Sequence, residues 1–266
     1  MKPQGWRRLT LPFYAALVLL YLFAPVIWIV AFSFNRQVGR QNINWNGFTL
    51  DAWRKPFENA ELTTTFWASI QVAVIASLIA TVLGSLMALA LARYRFKGSG
   101  AINILLVLPL TTPEIVMGAS LFTLFFDFGA DLGFWTVTIA HILFCVSFVA
   151  LTVKARLRGF DWTLEDAAAD LGCAPIRAFW KITFPLILPG ILAAALLSFA
   201  LSIDDYIITS FVAGDDFSTF PMKVYNLAQR STPPQINVLA TMVLTVCVVL
   251  LAAPLVIRSI RRPKVS

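Results

Sequence analysis

A chain of 266 residues that is 59% hydrophobic and 13% charged, with a mean hydropathy of +0.78, is not a water-soluble domain, whose apolar share is usually about 45 to 50%. Its net charge of +7 does not point to nucleic acid, because the basic residues fall between apolar runs and form no stripe that could track a phosphate backbone. The solvent for most of the chain is lipid.

Crossing a hydrocarbon core of about 30 Å takes roughly 20 helical residues. Six stretches meet that length: 11–34, 66–92, 102–126, 134–153, 186 to about 208, and 238–257. Period-two alternation is absent and lipid cannot satisfy an open backbone, so an all-α integral membrane fold is expected. Lys2, Arg7 and Arg8 before the first stretch imitate a signal peptide. The run is longer than the usual apolar region and no small-x-small site follows, so it reads as an uncleaved span. The second span carries Ala76, Ala80, Gly84, Ala88 and Ala92 at four-residue spacing, a small-residue stripe suited either to intramolecular packing or to a subunit interface.

In the third span Glu114 sits at mid-length, just after Pro109 and Pro113. Proline removes backbone donors and frees carbonyls near Thr111 and Thr112, as in the broken helices that line solute paths. The fourth span holds His141, the only histidine, which reads as a helix-packing donor. Without a Cys-x-x-Cys pair no metal site is expected, and Cys145, Cys173 and Cys247 read as reduced thiols.

The segment 154–185 then breaks the lipid pattern with two short helical signals. Thr163 with Asp166 three residues on suits a helix start, Gly172 a left-handed end, and Pro175 the first turn of a second helix. The first of these helices presents Ala167 and Ala168 with Leu171, a slim face with one apolar projection.

Span five is expected to close on Asp204 and Asp205, with Ser198, Ser202 and Asp205 on one face. A carboxylate inside a membrane span usually faces a cavity or a partner. Adjacent carboxylates resist ionising together, a repulsion that a bound cation relieves, so the lining favours an amine. Trp28, Phe122, Phe125 and Tyr206 are candidates for cation–π contacts.

Orientation follows from the basic residues outside the spans. With the N-terminus inside, cytoplasmic segments hold Lys2, Arg7, Arg8, Arg93, Arg95, Lys97, Lys154, Arg156, Arg158, Arg177, Lys181, Arg258, Arg261, Arg262 and Lys264; the other side holds Arg36, Arg40, Arg54, Lys55, Lys223 and Arg230. The positive-inside rule then places both termini in the cytoplasm.

Asp166-Ala167-Ala168, then three residues, Gly172, nine residues, and Ile182-Thr183-Phe184-Pro185 resemble the EAA loop of permease subunits in bacterial binding-protein-dependent ABC importers. Asp166 stands where Glu is usual, with Glu165 before it, and Phe184 replaces Leu. The segments Pro113 to Val116, Leu132 to Trp135, His141 to Cys145, Arg156 to Asp161, Ser198 to Phe211 and Asn237 to Thr241 look like the second permease of spermidine/putrescine importers. The likeness runs from the second span to the sixth.

The resemblance implies a six-span permease of the type I, MetI-like fold in the bacterial inner membrane. Its partners would be two ATP-binding subunits, a second homologous permease and an external solute-binding protein. Glu165, Asp166, Ala167, Ala168, Leu171 and Gly172 would couple to the ATPase, and Glu114, Ser202, Asp204, Asp205 and Tyr206 would line the polyamine path. No cofactor is expected in this chain. ATP and Mg belong to the partner, because no glycine-rich phosphate cradle ending in Gly-Lys-Ser/Thr occurs in the sequence. Sugars, thiamine or iron are the alternative cargoes. An ion-coupled secondary transporter is the rival class, set back by the lack of a clear internal repeat, and an integral-membrane enzyme lacks a nucleophile, base or metal set.

Overall fold

The computed structural model describes residues 5–94 and 96–260; the charges of Lys2, Arg95, Arg261, Arg262 and Lys264 lie outside the described residues. The chain is helical: α1 (Gly5–Phe32), α2 (Asp51–Arg54), α3 (Ala60–Arg93), α4 (Ser99–Thr111), α5 (Glu114–Asp127), α6 (Phe134–Leu157), α7 (Thr163–Asp170), α8 (Pro175–Ala178), a π turn (Phe179–Thr183), α9 (Phe184–Asp204), α10 (Ile207–Val212), α11 (Phe220–Ala228) and α12 (Pro234–Ile260). Among the described residues the only extended pairing is two isolated bridges, Asn35 with Phe48 and Gln41 with Thr232.

Among the described residues four helices are long and apolar enough to cross a membrane, namely Thr10–Phe32, Ala60–Arg93, Phe134–Leu157 and Pro175–Asp204, and the pair α4 and α5 makes one more if both halves form one span. Each helix overruns the stretch read from hydropathy at one end or both, while α1 and α9 stop a few residues short at the other. Hydropathy marks the part that suits lipid, whereas helical hydrogen bonding continues past that boundary. The helix of the span expected from residue 186 begins earlier, at Pro175, and runs through the π turn to Asp204, short of residue 208.

Contacts divide the chain into two compact units, Met1–Thr63 with Val224–Leu250, and Thr64–Lys223 with Leu251–Ser266. In the first, the turn after α1 is an asparagine knot. The Asn35 amide donates to Asn42 Oδ1 and to the Asn44 carbonyl, both at 2.7 Å, and accepts from Asn46 N at 2.8 Å. The Asn42 amide donates to the Phe32 carbonyl at 3.0 Å, tying the knot to the end of α1.

In the second unit α6 is central: Val137, Ala140, Cys145, Val149, Ala150 and Val153 are fully buried. The stripe on α3 packs within the chain. Ala76, Ala80 and Ala88 are fully buried, and a Cβ on Gly84 would stand 2.8 Å from Val149 Cβ. With lipid as solvent, such close approach of backbones holds helices together where water exclusion cannot.

The third predicted span is not one helix. Between α4 and α5 the chain bends by 110°. Thr112 is extended, with ψ 130°, as a following proline demands, and Pro113 has no N–H to continue the helix. A second break follows α9, where Asp205 is extended at φ −63° and ψ 126° before α10 begins.

Candidate functional site: a cavity between two helix breaks

The two breaks face one cavity of about 480 Å³, lined by Pro109, Leu110, Thr112, Glu114, Met117, Phe144, Phe148, Leu201, Asp204, Asp205, Tyr206, Ile207 and Ile208. They come together because α5 and α10 approach closely. A Cβ on Gly118 would lie 2.6 Å from the Phe211 ring, so any larger residue would displace that ring. Glu114 opens α5, where the positive end of the helix dipole favours a carboxylate. Glu114 and Asp204 are both exposed.

Asp205 is different. Its side chain is only 6% exposed, and it accepts from Thr209 N at 2.8 Å, Thr209 Oγ1 at 2.6 Å and Ile208 N at 3.4 Å. It thereby caps α10. His141, 1% exposed, lies with Nε2 3.4 Å from the same carboxylate. Its Nδ1 is 2.7 Å from Ser202 Oγ and its Nε2 2.9 Å from Thr209 Oγ1.

Of the residues read from sequence as the solute path, Glu114, Asp204 and Tyr206 therefore share the cavity. Asp205 borders it with its carboxylate turned into the wall. Ser202 is 4% exposed and faces His141, outside the lining. Of the aromatic candidates, Tyr206 alone reaches the lining: Phe125 is buried in the core and Trp28 stacks on Phe32 at 4.2 Å in the other unit. Asp215 and Asp216 are exposed. Phe144, Phe148 and Leu201, the apolar wall, were not singled out from sequence; the helical spacing of Phe144 and Phe148 was the available signal.

The loop between α6 and α9 forms a second feature. Asp161, rather than Thr163, opens α7: its carboxylate accepts from Thr163 Oγ1 at 2.7 Å and Thr163 N at 3.1 Å, which holds it below the usual carboxylate range. Gly172 ends the helix at φ +76°, with Gly172 N bonded to the Ala169 carbonyl and Cys173 N to the Ala168 carbonyl, the Schellman pattern. Pro175 starts α8 as expected. Leu171 and Ile176 are 89% and 76% exposed, and Asp166 and Ala167 stand exposed with them, while Ala168 is half-buried.

Glu165 is not on that exposed face. It is buried, ion-paired with Arg93 Nη1 at 2.7 Å and hydrogen-bonded by the Thr183 hydroxyl in the π turn. The Arg93 guanidinium also sits 5.8 Å from the Trp162 ring centroid. One carboxylate thus clamps α7 to the end of α3 and to the start of the fifth long helix. Among the described residues no group of three or more His, Cys, Asp and Glu side chains could hold a metal ion.

Residues 80–262 match the family described as binding-protein-dependent transport system inner membrane component. The chain is 40% identical over 233 residues to the spermidine/putrescine transport system permease protein PotC of Escherichia coli strain K12, covering 88% of each. It is 37% identical over 230 residues to the PotC protein of Haemophilus influenzae, covering 86% of this chain and 89% of that one. To the putrescine transport system permease protein PotI of E. coli K12 it is 35% identical over 231 residues, covering 84% and 82%. Among solved structures, a bacterial ABC transporter involved in the import of the acidic polysaccharide alginate superposes with a TM-score of 0.68 at 16% identity over 97% of this chain and 98% of that one. An inward-facing MetNI methionine ABC transporter gives 0.60 at 15% identity over 76% and 96%.

Proposed function

The chain belongs to the binding-protein-dependent transport system inner membrane components, and from that premise we propose that it is the permease subunit of an ATP-driven importer that forms half of the path for a polyamine. The observation that carries the cargo is the cavity where two helix breaks meet, with Glu114 and Asp204 exposed at its edge and Tyr206 beside them. A carboxylate in a low-dielectric wall is costly until a cation meets it, so an amine is drawn in and an anion is turned away. Six spans with both termini in the cytoplasm complete the proposed topology, α12 supplying the sixth. The loop carrying Leu171 and Ile176 then lies at the cytoplasmic face.

In this reading ATP is bound and hydrolysed by two separate subunits, a second homologous permease forms the other half of the path, and an external binding protein delivers the solute. ATPase closure moves the loop. Glu165 passes that movement to α3 and α9, and the cavity alternates in access. The test is reconstitution of the complete importer in proteoliposomes. Putrescine or spermidine should stimulate ATP hydrolysis and accumulate inside, and Glu114→Gln and Asp204→Asn should each lower uptake about tenfold or more while the subunits still co-purify. Full uptake in both variants, or stimulation by a sugar, thiamine or iron instead of an amine, would overturn the cargo.

A further inference from the structure

Sequence reasoning treats Asp204 and Asp205 as a pair that faces the solute together, but the structure gives adjacent carboxylates different surroundings. Asp204 is exposed at the cavity edge, whereas the Asp205 side chain is 6% exposed. The acceptor positions of Asp205 go to Ile208 N, Thr209 N and Thr209 Oγ1, with His141 Nε2 at 3.4 Å. Little of that carboxylate is left for a solute.

His141 touches both sides of this arrangement. It stands on α6, 61 residues before Ser202 in sequence, and its two ring nitrogens reach in opposite directions. Nδ1 meets Ser202 in the last turn of α9, and Nε2 meets Thr209 in α10. One ring therefore bridges both sides of the break at Asp205. The far end of α10 is also held by α6, because Thr136 Oγ1 donates to the Val212 carbonyl at 2.7 Å. Buried polar groups that are fully partnered fix one geometry, since any shift strands a donor or acceptor in an apolar surround. The backbone between the anchors Ser202 and Thr209 carries Asp204 and Tyr206.

We propose that His141 is a positioning residue for the cavity: it holds Asp205 in the wall and fixes the α9–α10 break, so that the acidic pair offers the solute one carboxylate, Asp204, and not two. This rests on the cation-import reading above. It assigns His141 and Asp205 one shared task, distinct from the contact role of Glu114 and Asp204.

The experiment uses the complete reconstituted importer with putrescine and spermidine as probes, reading KM for amine-stimulated hydrolysis together with the yield of assembled complex. His141→Ala should raise KM by about tenfold with complex yield retained, and His141→Gln, whose amide keeps a bond across the break, should fall between. His141→Ala combined with Asp205→Asn should be no worse than the more severe single variant, because both remove the same anchor, whereas His141→Ala with Glu114→Gln should be additive. A transport-independent measurement guards against mere loss of folding. In a Cys173→Ser, Cys247→Ser background, Asp204→Cys should react with a neutral thiol reagent, whose approach does not depend on the charge of Asp205, and adding His141→Ala should slow that labelling severalfold as residue 204 loses its fixed place at the cavity edge.

Unchanged KM in His141→Ala, additivity with Asp205→Asn, unchanged labelling, or a fall in yield with KM preserved in the remaining complex would each overturn the positioning role. If Glu114→Gln and Asp204→Asn raise KM while His141→Ala does not, this inference alone fails. If none of the variants affects amine handling, the cargo reading fails and takes this one with it.

Discussion

Among single residues, the charge balance of the loop between α6 and α9 rests on Glu165, which is buried. Glu165 meets Arg93 and Thr183, so its charge is compensated within the chain and its position is dictated by α3 and the π turn. Arg93 is 45% exposed, which lets solvent screen the pair, and the expected stability contribution is about 1 kcal/mol. Its mechanical effect should exceed that. Arg93→Ala should leave the ATPase bound but weaken amine stimulation of hydrolysis severalfold; co-purification alongside hydrolysis assays checks both, and full stimulation would remove the clamp from the coupling route. Gly172 carries a sharper demand. At φ +76° an Ala costs about 1 kcal/mol, while Pro, fixed near φ −65°, is incompatible with the turn. Gly172→Pro should therefore abolish solute-stimulated hydrolysis where Gly172→Ala only reduces it. For Asp161 the sign of the pH effect follows from its lowered pKa. Its capping of α7 is fully present above the ordinary carboxylate pKa and is lost as the pH falls through the lowered value.

Among the elements, the break between α4 and α5 and the packing of α3 on α6 are the consequential cases. Both prolines of the third span were visible in sequence, but Pro109 lies inside α4 and only Pro113 marks the bend. A helix absorbs a proline by losing one hydrogen bond. A full break occurs where the preceding residue is also driven extended, as Thr112 is. Pro113→Ala should relax that constraint and raise KM for the amine, by less than Glu114→Gln does, in the reconstituted assay. The α3 stripe had two open readings, and burial decides for packing inside the chain along Ala76, Ala80, Gly84 and Ala88. Gly84→Leu forces a side chain into Val149 and the Val146 carbonyl, an overpacking cost of about 1 to 3 kcal/mol. Thermal melting of the purified chain should show it, while Ala92→Leu at the exposed end of the stripe should melt like the parent.

For the whole molecule, the expectation is dependence on a separate engine. The chain should accumulate an amine only with its ATPase, and uptake should stop when cellular ATP is removed with the proton gradient intact. Persistent uptake under those conditions would return the molecule to the ion-coupled class. What the sequence by itself determined was the helical membrane class, the family, Gly172 and Pro175 in the loop, and the carboxylates of the cavity. Lipid demands long apolar helices and leaves charge conspicuous, so these signals are local and survive without coordinates. Only the tertiary structure decided that α4 and α5 part by 110°, that Glu165 and Ser202 turn inward, and that Asp205 is spent on His141 and Thr209 while Asp204 stays exposed. The donors that hold Asp205 lie three and four residues on, but the ring that joins Ser202 to Thr209 across the break comes from α6, 61 residues before Ser202, and no local pattern of spacing or hydropathy encodes a contact of that range.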